Sequence, residues 1–403
     1  MPMISENKIL GLCRDNLKYG FSNVQIDSYD NAITFGIQKV IDDEPSFSVT
    51  KDGRRLRVVC GDFTLDKPSI VEENRMVRRI TPNEARQRDI TYNSAMFLDI
   101  ETFIDTVDEN GDCVPGNETM YVYHKKVFIG RIPVMVGSSL CTLSGMSVDD
   151  KVKAGECPYD QGGYFIIRGK EKAVDAQVRD NHNRVYVYEE KPISKYLYSA
   201  EIRSMSEETK HSVKISTKIL KNDKSFVFCL PYISKDIPVG VLFRAMGYSV
   251  SQLFGESTNY NINYFIYNME RDALDICDTQ DEALEYIGAN VINPVSKDKI
   301  TSARQIIRNQ LFPHMGLVSS DIEKVLFMCT MIDKLIRTYI GLRSPDDKDN
   351  LANKRIETTG ILITDLFRHL WKRFIRNLEK IDRRFDVVSA INKSTSISQG
   401  LIY

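Results

Sequence analysis

The chain has 403 residues, 42% apolar and 27% charged, with a formal net charge of −1; that length supports two or three domains around a sizeable core. Near-neutrality excludes a protein that coats duplex DNA through overall basicity, so any nucleic acid has to be held by local patches or within something larger. No apolar run is long enough to span a membrane and no signal-peptide layout opens the chain, so an intracellular protein is expected; eight cysteines without a Cys-x-x-Cys pair suggest neither a zinc knuckle nor a disulfide framework.

Ile9, Leu10, Leu17 and Phe21 recur at roughly helical spacing. Phe35, Ile37 and Val40, then Phe47 and Val49, alternate as strand residues do, and the run from Arg55 to Cys60 reads as a further strand. Thr81 is placed to cap a helix starting at Pro82, with Glu84 in its first turn and Arg86 and Arg88 behind it. Those arginines suit either a capped surface helix or a nucleic-acid contact. Phe97-Leu-Asp-Ile-Glu carries two acids on a strand, as two-metal exonucleases do. Tyr232-x-x-x-Asp236 could pass for the third motif of such a site, but the middle motif, an Asn followed shortly by Phe-Asp, is missing between them, because the only Phe-Asp, at 385–386, comes too late. Asp99 and Glu101 are therefore read as exposed acids at a strand edge.

From Glu156 to Gln177 the chain reads as a turn, a short buried strand and a basic turn. Pro158 and Asp160 precede Gly162 and Gly163, Tyr164 to Ile167 are β-formers, and Gly169 is flanked by Arg168, Lys170 and Lys172. Three cations on a glycine turn suit a phosphate cradle or a solvated hairpin. Strand character returns from Arg184 to Tyr188, from Ala200 to Ser204 and from Val213 to Leu220. A helix follows from Val239 to Met246, closed by Gly247, and then a polar, partly helical stretch over 248–300. Ser320 can cap a helix over 321–340 whose stripe of Ile322, Val325, Leu326, Cys329, Ile332, Leu335, Ile336 and Tyr339 is read as core. Asp346, Asp347 and Asp349 surround Lys348, which favours a capping turn over a metal site. Over 361–381 an amphipathic helix turns Leu366, Phe367, Leu370, Trp371, Phe374, Leu378 and Ile381 inward and Arg368, Lys372, Arg373, Arg376 and Lys380 outward. Residues 351–384 hold nine Lys or Arg against four acids, the clearest basic patch in the chain.

Cys157-Pro-Tyr-Asp-Gln-Gly-Gly-Tyr-Phe-Ile-Ile resembles a signature of the second-largest, β-like subunit of multisubunit DNA-directed RNA polymerases, of the eukaryotic, archaeal and large-DNA-virus type. The upstream Val127-Phe-Ile-Gly-Arg-Ile-Pro-Val-Met and Cys141-Thr-Leu are similar to the same family in the same order. So are Pro82-Asn-Glu-Ala-Arg-Gln-Arg-Asp-Ile-Thr-Tyr and the run from Leu230 to Gly247. The stretch from Arg343 to Gly360 is similar to the family's fork region beside the RNA–DNA hybrid. It departs from the pattern at Asn350 and at Ala352 or Asn353, where the family usually has His and Gly.

The resemblance implies an α+β, multi-lobed chain: a protrusion over 1–185, an inserted lobe over 186–292, a return to the protrusion over 293–345, and the start of a fork over 346–403. It implies one wall of a nucleic-acid cleft, with phosphates held by Lys170, Lys172, Lys354, Arg355 and Lys393. The partners it implies are the largest subunit, which carries the catalytic Mg2+, other polymerase subunits, the remaining C-terminal part of the β-like subunit, the DNA template and the RNA–DNA hybrid. No catalytic or metal-binding residue is assigned to this chain, which alone is not expected to catalyse. The alternative is a stand-alone interaction or scaffold protein derived from the same fold.

Overall fold

Tyr29, Ile33, Ile37 and Ile41 recur every four residues, with Val40 three after Ile37, the spacing of one helix face. The structure is a computed structural model that describes residues 20, 22–51, 53–74, 76–106, 120–207, 209–222, 224–254, 260–292, 298–316, 319–379, 386–393 and 396–402. In it these five residues are buried along one continuous helix, Asn23–Asn31, a π-helical turn Ala32–Gly36, and Ile37–Asp43. This corrects the strand expected at Phe35, Ile37 and Val40: the helical period prevails and Phe35 is exposed. Phe47 and Val49 do lie on a strand, β1 (Ser46–Lys51). The expected helix at Ile9, Leu10, Leu17 and Phe21 falls outside the described residues.

The chain forms two units, one of residues 1–177 with 356–403 and one of residues 178–355. In the first, β1 is followed by β2 (Arg54–Leu65), the short hairpin of β3 (Ser69–Val71) and β4 (Val77–Arg79), and the long strands β5 (Asn93–Thr106) and β6 (Met120–Pro133). The main sheet is antiparallel in the order β1-β2-β5-β6. Along β5, Ser94, Met96, Leu98, Ile100 and Thr102 are buried and their neighbours are not, so one face carries the core. Asp99 and Glu101 therefore sit on the open face of an interior strand, not at a sheet edge. Asp99 accepts hydrogen bonds from Tyr123 Oη (2.6 Å) and Lys126 N (2.8 Å), which hold its carboxyl below the usual range.

The helix Thr359–Leu378 completes this core. Phe367, Trp371, Phe374 and Leu378 pack with Tyr29, Ile37, Met96 and Leu98. Its first turn is pinned to the helix that begins at Asn23. Thr359 N and Oγ1 donate to Gln25 Oε1 (2.9 and 2.6 Å), and Gly360 N donates to Ser28 Oγ (3.1 Å). A Cβ at residue 360 would lie 1.9 Å from the Ser28 carbonyl oxygen, so only glycine permits the approach. Two expectations for this helix are corrected. Arg368, expected on the solvated face, is buried and bonded to Asp43 (2.6 Å), because its row of the helix lies against the end of the earlier helix. Leu366, expected in the core, is 41% exposed. Lys380, Ile381, Arg383 and Arg384 fall outside the described residues.

The second unit holds a five-stranded antiparallel sheet of consecutive strands, β10 (Tyr186–Glu189), β11 (Tyr196–Met205), β12 (Ser212–Leu220), β13 (Phe226–Cys229) and β14 (Ile237–Pro238). Helices Val239–Ala245, Tyr260–Leu274, Gln280–Ala289, Lys299–Gln310 and Asp321–Tyr339 contribute to the same core. The chain leaves this unit at 355, and the last two of those helices pack into the same core as the sheet. Ser320 forms a capping box with Glu323. Along that helix Ile322 and Leu326 are exposed, not core. Lys324 is buried instead, donating to the carbonyls of Ile307 (3.3 Å) and Arg308 (2.8 Å), where the preceding helix leaves acceptors unpaired.

Trp371 is the only tryptophan, so its fluorescence reports the first unit. Gly360→Ala is expected to destabilise that unit by about 1–3 kcal/mol, the usual cost of forcing atoms into a packed contact. Urea unfolding followed at Trp371 measures this; an unchanged midpoint would mean that the two helices are free to separate.

Candidate nucleic-acid interface

Thr81 caps the helix Pro82–Gln87 by accepting from Glu84 N (3.3 Å). The cap aims Arg86 at the stretch that the sequence singled out. Arg86 Nη1 donates to Glu156 Oε2 (2.9 Å), Nη2 to Tyr164 Oη (2.6 Å) and Nε to Glu171 Oε1 (2.6 Å). The Glu156 side chain is only 4% exposed, and its other oxygen accepts from Asn83 N. Tyr164 in turn donates to Asp160; burial, aided by that carboxylate, pushes the phenol up. Arg86 thus ties the turn at 156–164 to the hairpin that follows. Arg78 and Arg88 share Glu72 and Glu84, and these two arginines, Arg88 foremost, draw the Glu72 carboxyl down to about 2. Both arginines of the Pro82 helix that were candidates for nucleic acid are therefore bonded within the protein.

The hairpin consists of β7 (Phe165–Ile167) and β8 (Lys170–Lys172). Its two turn residues, Arg168 and Gly169, have φ of 53° and 72°, the both-positive pattern of a type I′ turn. Arg168 N donates to Thr91 Oγ1 (3.2 Å) and Gly169 N to the Ile90 carbonyl (3.1 Å). A Cβ on Gly169 would lie 2.9 Å from Asp89 Cα, so the turn is seated against its neighbour and glycine is required there.

Register then sorts the charges. Phe165 pairs with Lys172, Ile166 with Glu171 and Ile167 with Lys170. Side chains alternate across a strand, so Glu171 leaves on the face of Ile166, and Lys170 and Lys172 leave together on the face of Phe165 and Ile167. Glu171 is neutralised by Arg86. Lys170 and Lys172 are exposed and make no ion pair among the described residues. Two lysines two residues apart on a strand stand about 7 Å apart, close to the step between successive phosphates of one strand. The whole run from Lys170 to Asp180 is exposed.

The other expected cations are placed differently. Lys354 and Arg355 belong to the second unit, on β15 (Lys354–Glu357), which pairs with β9 (Gln177–Asp180). Lys354 Nζ bonds Asp180 (2.5 Å) and holds that carboxyl below its usual range; Arg355 is half-buried. Lys393 ends the helix Val387–Lys393, and its side chain lies outside the described residues. Of the three aspartates near 347, Asp346 accepts from Val187 N (2.8 Å) and binds Arg343 (2.7 Å), covering the edge of β10. Among the described residues no three His, Cys, Asp or Glu come together as a metal site. The link from Arg86 to Glu156 and Glu171 was missed in the sequence. Its one local sign was an acid placed between two lysines.

A family model described as RNA polymerase beta subunit matches residues 20–399. The chain is 31% identical over 409 residues to DNA-directed RNA polymerase II subunit RPB2 of Encephalitozoon cuniculi, covering 95% of this chain and 35% of that protein. It is 31% identical over 363 residues to DNA-directed RNA polymerase subunit Rpo2 of Saccharolobus shibatae, covering 89% and 30%. It is 31% identical over 361 residues to DNA-directed RNA polymerase subunit Rpo2N of Methanococcus vannielii, covering 88% and 70%. The chain thus spans about a third of the length of the RPB2 and Rpo2 relatives.

Arg86→Ala would leave the buried Glu156 carboxylate without its cation, at a cost on the order of 3 kcal/mol. Arg86→Lys is expected to recover little, since one ammonium cannot reproduce a fork bonded to three partners. Urea unfolding at Trp371 tests both. A loss below about 0.5 kcal/mol, the size of an ordinary surface change, would show that the network does not hold the hairpin.

Proposed function

Because the chain belongs to the RNA polymerase beta subunit family, we propose that it is the part of a DNA-directed RNA polymerase β-like subunit that forms one wall of the nucleic-acid cleft during DNA-templated transcription. The observation that carries this reading is the pairing of a family match over residues 20–399 with a hairpin whose only acid is bonded to Arg86 while two lysines make no ion pair among the described residues. Lys170 and Lys172 hold phosphates of the DNA template or the RNA–DNA hybrid, contacts that position a strand without reading its sequence. Lys354, Arg355 and Lys393 are further contacts in this reading, with Lys354 exchanging Asp180 for a phosphate. In this reading residues 1–185 and 293–345 are the protrusion, 186–292 the lobe inserted in it, and 346–403 the start of the fork.

Nucleotidyl transfer is the work of the whole enzyme. In this reading its Mg2+ sits on the largest subunit, and this chain holds the strand in place for it. Its partners are that subunit, other polymerase subunits and the remaining C-terminal part of the β-like subunit, in an intracellular enzyme.

Binding of the purified chain to an RNA–DNA hybrid across a salt series tests the proposal. Lys170→Ala with Lys172→Ala is expected to weaken binding alike for all sequences and to reduce the salt slope by about one to two. Lys372→Ala with Arg376→Ala is expected to do much less, Lys372 already being paired with Glu44 (3.3 Å). An unchanged slope for the hairpin variant would overturn the assignment.

A further inference from the structure

Beside the two lysines lies an apolar groove of about 180 Å³, with Ile167 and Val174 of the hairpin segment on one side, Leu362, Ile363 and Leu366 of the helix Thr359–Leu378 on another, and Leu401 closing it. Among the described residues every side chain that lines it is aliphatic, aromatic or proline. The first turns of that helix are apolar on several sides, with Ile361 and Leu366 left 38% and 41% exposed, a pattern expected of a helix that something else covers. Register places Lys170 opposite Ile167 and Lys172 opposite Phe165, both of which line the groove. A ligand whose phosphates rest on the lysines therefore lays its next atoms over aliphatic carbon.

We propose that this groove receives the sugars of a DNA strand, and that the strand held by Lys170 and Lys172 is the deoxyribose strand and not the RNA. The inference rests on the proposed nucleic-acid role of the hairpin and adds which strand it takes. A deoxyribose presents C–H at its 2′ carbon and loses nothing against Leu362, Leu366 and Val174. A ribose would bury its 2′-hydroxyl where no lining side chain among the described residues offers a donor or acceptor, leaving a polar group desolvated and unpaired. That hydroxyl is the group by which a protein tells the two nucleic acids apart. The charge needed to hold the strand is already at the rim, and the volume suits one pentose.

The test uses the purified chain at low salt with oligo(dU), oligo(U) and 2′-fluoro oligo(dU) of equal length, so that base and charge are constant. Oligo(dU) is expected to bind about tenfold more tightly than oligo(U). The 2′-fluoro strand should follow oligo(dU), since it lacks the hydroxyl while favouring the ribose pucker. Leu366→Asn and, separately, Val174→Asn are expected to shrink the preference by supplying a partner for the hydroxyl. Both positions are partly exposed, and urea unfolding at Trp371 checks that each variant folds. Lys170→Ala with Lys172→Ala should weaken all three strands together. Equal binding of oligo(dU) and oligo(U), or a preference that survives both asparagine variants, would overturn the inference while leaving the phosphate role standing; the groove would then belong to a neighbouring polypeptide. Failure of the wild-type chain to bind any strand would overturn the nucleic-acid role itself.

Discussion

One guanidinium organises the region that matters most here. Arg86 bonds Glu156, Tyr164 and Glu171 at once, three groups spread over the stretch that carries the turn, the buried strand and the basic hairpin. Its planar fork makes such a three-way link possible, and the burial of Glu156 makes the link hard to dispense with. The consequence reaches the surface. With Glu171 bonded to Arg86 on the face of Ile166, the alternation of β8 leaves Lys170 and Lys172 on the other face, without an ion pair among the described residues. This ion pair within the protein thereby removes the hairpin's one acid from the charge pattern that a phosphate would meet.

The apparent basic patch on the helix Thr359–Leu378 shows the opposite case. Arg368 is buried against Asp43 and Lys372 reaches Glu44, so two cations of that helix help to dock it on the helix ending at Asp43. The close approach at Gly360 and the packing of Phe367, Trp371 and Phe374 with Tyr29 and Ile37 fix the same docking from its other parts. A count of lysines and arginines overstates what this surface can offer an anion, because some of those charges are neutralised within the fold. The hairpin carries fewer cations, but its two lysines are available.

Much of the local structure was legible in the sequence because its causes are local. Thr81 before Pro82 and Ser320 before Asp321 mark helix starts by capping chemistry, and the β-formers from Tyr164 to Ile167 followed by Gly169 mark a strand and its turn. The family, too, was legible in runs such as Cys157 to Ile167. What was not legible depends on partners distant in the chain. Phe35, Ile37 and Val40 alternate like a strand over six residues, and only the longer series from Tyr29 to Ile41 shows the helical period. Arg368 looks solvated until Asp43, 325 residues earlier, is brought beside it. The same holds for Arg86 and Glu171, 85 residues apart, and so for the sorting of charge on the hairpin.

The central claim is that nucleic acid meets this chain at the hairpin's lysine face. The most direct measurement is cross-linking from a photoreactive group on the phosphate backbone of a bound DNA strand, with the attached peptides mapped by mass spectrometry. The account expects cross-links concentrated in residues 168–174. Cross-links concentrated instead in residues 368–376, with the hairpin unlabelled, would contradict it.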